Sequence, residues 1–304
     1  MDARVVPLDA SMIDALMVLS IAAQWNQNEA DWRTMLALGQ GWGVRVTDAQ
    51  GRPRLVASTV ALPYEDRFAW ISMVLVLPAW RERGLASQLL QVALAELDAR
   101  GVPQVLDATP AGHPVYARQG FVDAWGFVRW RRLGGEGPVG STRAPGPLPP
   151  GVRLRPLREG DWPALALLDA PAFGARRVPL LQQLARRLPA AAWVAEREGR
   201  PCGFLLGREG RTALQLGPLV VEAGTEPELA PALLGAALEA LRQRTIGLPL
   251  TLVVDLRDEQ PELQGWLQER GFAIERPFTR MVRGTERAPG DAARVALVAG
   301  PELG

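Results

Sequence analysis

The chain contains no lysine: all thirty-four of its basic residues are arginine, set against thirty-three acidic ones. Alanine, proline and glycine are abundant alongside, so the missing lysine reads as coding bias rather than as a demand for guanidinium groups. A formal net charge of +1 leaves no broad basic face, which argues against nucleic acid and anionic membranes as partners. One cysteine, Cys202, and one histidine, His113, exclude a disulfide framework and a conventional Cys/His metal site, so no metal is expected. There are two tyrosines, Tyr64 and Tyr116. No apolar run approaches the length of a membrane helix, and the opening MDARVVPLDAS has no apolar signal core, so a cytoplasmic chain is expected.

What is present supports two cores. A chain of 304 residues, 48% hydrophobic, is long for one ordinary domain and suits two of about 150. The segment GGEGPVGSTRAPGPLPPG at 134–151 loses all periodicity and reads as a semi-rigid linker. It leaves halves at 1–133 and 152–288, with a tail at 289–304 whose RVALVAGPELG is a candidate edge strand. At an offset of 144, LVLPAWRERGLASQLLQVALAEL lies over LVVEAGTEPELAPALLGAALEAL without a gap. Asp107 then finds a counterpart in Asp255, and Gln119-Gly120-Phe121 in Arg270-Gly271-Phe272, which makes a duplicated domain the economical reading.

In the first half, helical spacing over 12–23 and 29–39 is followed by strands at 42–48, 55–64 and 69–77, a helix from 84 to 99 and a strand at 104–109. The strand AWISMVLVL is apolar at nearly every residue, as a strand covered on both faces is. It turns into the helix through WRERGLAS. A glycine in that turn, at Gly84, keeps backbone bare where unpaired amides and the helix dipole favour a phosphate, and Arg81 and Arg83 add cationic donors. The turn is neither GxxxxGK[ST] nor GxGxxG.

VLVLPAWRERGLASQLL resembles the acyl-coenzyme A signature of the GNAT superfamily of N-acyltransferases, at Val76, Pro78, Arg81, Gly84 and Ala86. PVYARQGF resembles that family's second signature, with Tyr116 four residues before Gly-Phe. AAQWNQNEADW, GPLVVE, RPFTRM and VAGPELG extend the likeness to a bacterial tandem-GNAT group with a degenerate C-terminal domain. The resemblance implies an α/β fold of the α+β type: two GNAT-like domains, each a mixed, mostly antiparallel twisted sheet flanked by helices. It also implies acetyl-coenzyme A as co-substrate, with its pantetheine arm along Val74 and Val76. The pyrophosphate would sit on Glu82, Arg83, Gly84, Leu85, Ala86 and Ser87.

A phenol with a reference pKa of about 10 suits Tyr116 to protonate the departing thiolate. For the acceptor, Trp25, Asn26, Gln27, Asp31 and Trp32 offer stacking faces and hydrogen bonds, although Asn28 and Asp31 also fit a helix cap. His113 is a candidate base, and a loop position serves it equally well. In the second half the offset turns Pro78, Arg81 and Gly84 into Glu222, Thr225 and Glu228, and Leu267 stands where Tyr116 stood. Acidic groups there oppose a pyrophosphate. The expectation is an acetyl-coenzyme A-dependent N-acetyltransferase with one site, acting on a primary amine of a small molecule. The halves would form an intrachain pseudo-dimer, in a monomer or a homodimer. A non-catalytic acyl-coenzyme A sensor is the alternative. The acceptor, the acyl length and the base are left open.

Overall fold

The computed structural model describes residues 3–47, 51–134, 148–225, 227–244 and 250–304. Most of the expected linker, residues 135–147, lies outside them. The first half runs β1 (Ala3–Pro7), α1 (Ile13–Ala22), α2 (Glu29–Leu38), β2 (Gln40–Thr47), β3 (Pro53–Tyr64), β4 (Phe68–Val76), α3 (Leu85–Ala99), β5 (Gln104–Ala108), α4 (His113–Ala117) and β6 (Val122–Arg132). The second runs β7 (Val152–Pro156), α5 (Trp162–Phe173), α6 (Val178–Arg187), β8 (Trp193–Arg197), β9 (Arg200–Glu209), β10 (Leu214–Val221), α7 (Leu229–Arg244), β11 (Leu252–Arg257), α8 (Pro261–Gln268), β12 (Ala273–Arg283) and β13 (Val295–Leu297). Each half therefore repeats one mixed, mostly antiparallel α/β pattern.

The compact units draw on both halves of the chain. One comprises residues 1–124, 279–288 and 301–303; the other comprises 125–278, 289–300 and 304. The reason is an exchange of C-terminal strands. Thr279–Arg283 of β12 pairs antiparallel with β5, and Phe127–Arg132 of β6 pairs antiparallel with β11. Each exchanged strand carries an arginine that neutralises an aspartate on the strand it joins. Arg280 donates to both Asp107 carboxylate oxygens at 2.9 and 3.0 Å in the first unit. Arg129 donates to both of Asp255 at 2.7 Å in the second, where Gln215 also donates to Asp255. All four charged side chains are buried. The repeat seen in sequence at Asp107 and Asp255 is thus a repeat of buried ion pairs, whose arginines come from the opposite half.

In the first unit, β1 to β4 form an antiparallel meander, and β5 joins β4 in parallel. Leu90, Leu94 and Leu97 of α3 bury against Ala69, Ile71, Leu106 and Phe121. Because side chains alternate along a strand, the next residue, Ser72, faces the other way and donates to Met35 of α2. In the second unit, Leu233, Leu234 and Leu241 of α7 share a core with Leu263 and Leu267 of α8 and with β10 and β11.

The tail corrects one expectation. β13 is not at a sheet edge: it pairs antiparallel with both β10 and β11. Val295, Ala296, Leu297, Val298 and Ala299 are all buried, and an all-apolar strand is stable only where both faces are covered.

Candidate active site

Parallel strands β4 and β5 are joined at Ala69↔Gln104 and Trp70↔Val105, and their pairing ends there. Three residues on, β4 carries an extra residue relative to β3, with the register shifting between Ser58 and Val60. Met73 sits at this bulge with φ of 52°, and its carbonyl accepts from Ser58 Oγ at 2.8 Å. A bulge increases local twist and re-aims the strand, so the end of β4, Val74 and Val76, peels away from β5. Both valines are half-buried. Between the parted strand ends lies a cleft that leads toward the N-terminus of α3.

Gly84 is the N-cap of α3 rather than part of its first turn, in a left-handed conformation with φ of 77°. A Cβ there would meet nothing within 4 Å, so the glycine answers to backbone conformation, not to crowding. Gln88 N donates to Gly84 O at 2.9 Å. Among the described residues no backbone carbonyl accepts from the amides of Glu82, Arg83, Gly84, Leu85, Ala86 or Ser87. This row of donors at the positive end of a fifteen-residue helix is an anion site in form. Arg81 donates through Nε to Val76 O at 3.3 Å, and the Arg83 guanidinium lies 4.8 Å from the Trp80 ring centroid. Both arginines are exposed at the mouth.

Tyr116, on α4, lays its ring against the α3 core and meets Phe121 edge-on at 6.2 Å. Burial pushes its phenol up to about 12. Among the described residues its hydroxyl has no protein hydrogen-bond partner. His113, one turn earlier, places Nε2 2.7 Å from Asp123 Oδ1 in a largely exposed pair. The second unit repeats this turn without the phenol. Phe121 N donates to Tyr116 O, and Phe272 N donates to Leu267 O, where Leu267 is fully buried.

The segment between α1 and α2 separates into two kinds of residue. Asp31 and Trp32, expected to face an acceptor, are given to structure. Asp31 completes a capping box with Asn28, accepting from Asn28 N at 2.9 Å while Asn28 Oδ1 accepts from Asp31 N at 3.1 Å. Trp32 is in the core, its indole N–H donating to Ser20 Oγ at 2.9 Å. Trp25 is half-buried, and Asn26 and Gln27 are 3% and 2% exposed. Gln27 Oε1 is buried and, among the described residues, has no hydrogen-bond partner. A buried acceptor lacking its donor costs about 1–3 kcal/mol, so a bound N–H there would be favoured.

The second unit builds the same cleft and fills it. β10 and β11 pair in parallel from Leu214↔Leu252 to Leu216↔Val254, and β10 then shifts register against β9 between Leu216 and Leu219. Gly217 and Pro218 stand where Met73 and Val74 stand in the first unit. Beyond them β13 occupies the gap. At the mouth, Glu222 and Glu228 are exposed, and Thr225 Oγ1 turns back to donate to Glu222 O at 2.8 Å. A cavity of about 190 Å³ remains, lined by Glu222, Thr225, Pro227 and Gln260 with Ala293 and Ala296 of the tail segment. The bulge, the strand exchange and the filled cleft were not anticipated from sequence; the nearest signal was the uninterrupted apolar run VALVA.

Comparisons with known proteins agree with this architecture. A profile described as "Acetyltransferase (GNAT) family" matches residues 20–121, and one described as "Acetyltransferase (GNAT) domain" matches 165–295. The chain is 22% identical over 270 residues to YitH of Bacillus subtilis, described as an uncharacterized N-acetyltransferase, covering 88% of this chain and 87% of that protein. Among solved structures, a candidate acetyltransferase from Pyrococcus horikoshii superposes with a TM-score of 0.73 at 19% identity, covering 99% of this chain and 96% of the other. A tandem GNAT protein from the clavulanic acid biosynthesis pathway gives 0.67 at 16%, covering 92% and 98%. These structural likenesses speak to fold. Among the described residues, no helix is long and apolar enough to cross a membrane.

Proposed function

Since the chain belongs to the GNAT superfamily of acetyltransferases and carries two such domains in tandem, we propose that it transfers an acetyl group from acetyl-coenzyme A to a primary amine of a small molecule, at one site, in the first unit. The observation that carries this reading is the contrast between the two clefts. In the first, β4 and β5 pair only at Ala69 and Trp70 and β4 leads to unpaired amides beside Arg81; the second holds a strand and ends in Glu222 and Glu228.

In this reading the pyrophosphate takes the amides of Glu82–Ser87, and the pantetheine arm runs along the peeled end of β4. The amine nitrogen attacks the thioester carbonyl, the C–N bond forms, the C–S bond breaks and the amine's proton leaves to water. Tyr116 serves the departing thiolate. A phenol held near 12 remains protonated at neutral pH, but complete transfer to a thiolate of reference pKa about 8.5 is uphill. Its role is therefore a hydrogen bond that strengthens as charge develops on sulfur, and the departing thiolate takes its proton from water. Gln27 Oε1 offers the acceptor for an amine N–H, beside Trp25 and Asn26.

Native mass spectrometry with acetyl-coenzyme A tests the site. One equivalent should bind the parent chain and none the Gly84→Glu variant, with the variant's apo melt checked because a side chain at φ of 77° adds strain. Two equivalents would refute the single site. One equivalent without turnover of any amine would leave a sensor.

A further inference from the structure

The second unit's cleft has a ligand of a different chemical class. We propose that the gap between β10 and β11 is a strand-binding site whose ligand is the chain's own segment Val295–Val298, held where a thioester arm would otherwise lie and exchangeable for the same peptide supplied in trans. The proposal goes beyond the acetyl-transfer reading and does not depend on which amine the first unit uses.

Three features suit this gap to a peptide and not to acyl-coenzyme A. First, the occupant is bonded along both edges: Leu219↔Leu297 and Val220↔Val295 on β10, Leu256↔Leu297 on β11, and Val298 N to Asp255 O at 3.0 Å. Second, β10 is shaped to receive a carbonyl. A Cβ on Gly217 would stand 2.1 Å from Val298 O, so the close approach of the two backbones depends on glycine, whose φ is 145°. The matching residue of the first unit, Met73, carries a side chain. Third, Pro218 follows, and proline offers no N–H, whereas Val74 at the matching position of β4 keeps its amide.

The specificity is that of an added strand, with main-chain bonds giving affinity and buried side chains giving selectivity. Leu297 is fully buried and Ala296 is 3% exposed, both within the α7 core. Ala296 also borders the remaining cavity. Asp291 N donates to Pro171 O at 2.9 Å just before the bound segment, and Arg257 donates to Val295 O at 3.2 Å at its start. The recognised ligand is an extended apolar peptide whose leucine fills the fully buried place of Leu297.

The test begins with the folded full-length chain. A specific protease site placed at the exposed Glu286-Arg287 turn allows the tail to be cut while it is bound. The fragment should stay associated in native mass spectrometry and should exchange one-for-one with a labelled synthetic peptide spanning 289–304. A peptide with Leu297→Asp should bind on the order of a hundredfold more weakly. The cut chain should bind the same number of acetyl-coenzyme A molecules as the uncut chain. Release of the fragment with no rebinding and an unchanged melt would overturn the proposal, as would displacement of the fragment by acetyl-coenzyme A. If the cut chain unfolds, intact Gly217→Ala decides: hydrogen exchange at Val295–Val298 should accelerate while β9 stays protected, and unchanged exchange would refute the strand site. Loss of acetyl-coenzyme A binding altogether would count against the first unit's reading and leave this one standing.

Discussion

The two units begin from one plan and end with opposite clefts. In each, a pair of parallel strands parts at a bulge, and a helix starts at the mouth. In the first, the parted strand leads into Arg81, a left-handed Gly84 and a row of unpaired amides. In the second it leads into Glu222 and Thr225, and β13 lies in the opening. The difference teaches that one architectural plan can leave its parted strands apart or fill the space between them with a strand. A gap between parted strands presents unpaired main chain, which is costly when buried, and a strand satisfies it as well as a ligand does.

If the plan is shared, its buried ion pairs should respond alike. Asp255→Ala leaves Arg129 buried without its carboxylate, and Asp107→Ala does the same to Arg280. Each should cost about 3–5 kcal/mol by denaturant unfolding. A loss confined to one unit's aspartate would mean that the correspondence is only topological.

Chemistry should then separate what architecture unites. Tyr116→Phe keeps the ring against the core and removes the hydroxyl, so kcat should fall by roughly a hundred- to a thousandfold with acetyl-coenzyme A affinity unchanged. Equal losses in both would make Tyr116 a binding residue. Gln27→Leu removes the orphaned acceptor and should raise KM for the amine by about tenfold while leaving that for acetyl-coenzyme A alone. A rise in both would place Gln27 in the scaffold.

Acid stability gives a smaller contrast. Arg155 holds the Asp161 carboxyl below the usual carboxylate range in the second unit, and Arg283 does so for Asp98 in the first. A carboxylate with a depressed folded pKa contributes its full stabilisation above the unfolded value of about 3.9 and loses it as pH falls through the folded one. Asp161 is 10% exposed against 47% for Asp98, so solvent screens the Arg283–Asp98 pair more. In melts from pH 7 down to pH 3, Asp161→Asn should lower stability at neutral pH and converge on the parent in acid. Asp98→Asn should change little throughout, by less than about 1 kcal/mol.

Much of this comparison was legible in the residues. In the first half the order of elements from α1 to β5 followed from periodicity, and the mouth of α3 from Arg81 and Gly84. Asn28 and Asp31 spelled a capping box and Trp32 a core position, yet a segment so rich in carboxamides and indoles also reads as a binding lip; only burial separates Trp32 from Gln27. The bulge at Met73 left no trace, because nothing in AWISMVLVL marks a positive φ. Nor did the strand exchange. WGFVRWRR and ERPFTRMVR each declare an alternating strand, but pairing partners 126 and 173 residues away are chosen by the closing of ion pairs that local pattern does not encode. The tail RVALVAGPELG reads as a candidate edge strand, and only the structure shows its run VALVA covered on both faces.

The change expected to do least tests the comparison most directly. Thr225→Arg together with Glu228→Gly rebuilds the mouth of the first unit on the second, restoring the cation and removing one carboxylate near the α7 N-terminus. By charge alone this should create a second pyrophosphate site. A pyrophosphate held only at the mouth leaves the rest of coenzyme A without a groove, since β13 fills it and Pro218 offers no amide. Acetyl-coenzyme A stoichiometry should therefore stay at one, with thermal stability within about 1 kcal/mol of the parent, because Glu228 is exposed and Thr225 gives up only its bond to Glu222 O. A second equivalent would show that the tail yields to ligand and that the acidic mouth alone had closed the site. Continued binding of one would place the closure in the groove, where a strand has taken the position of a substrate.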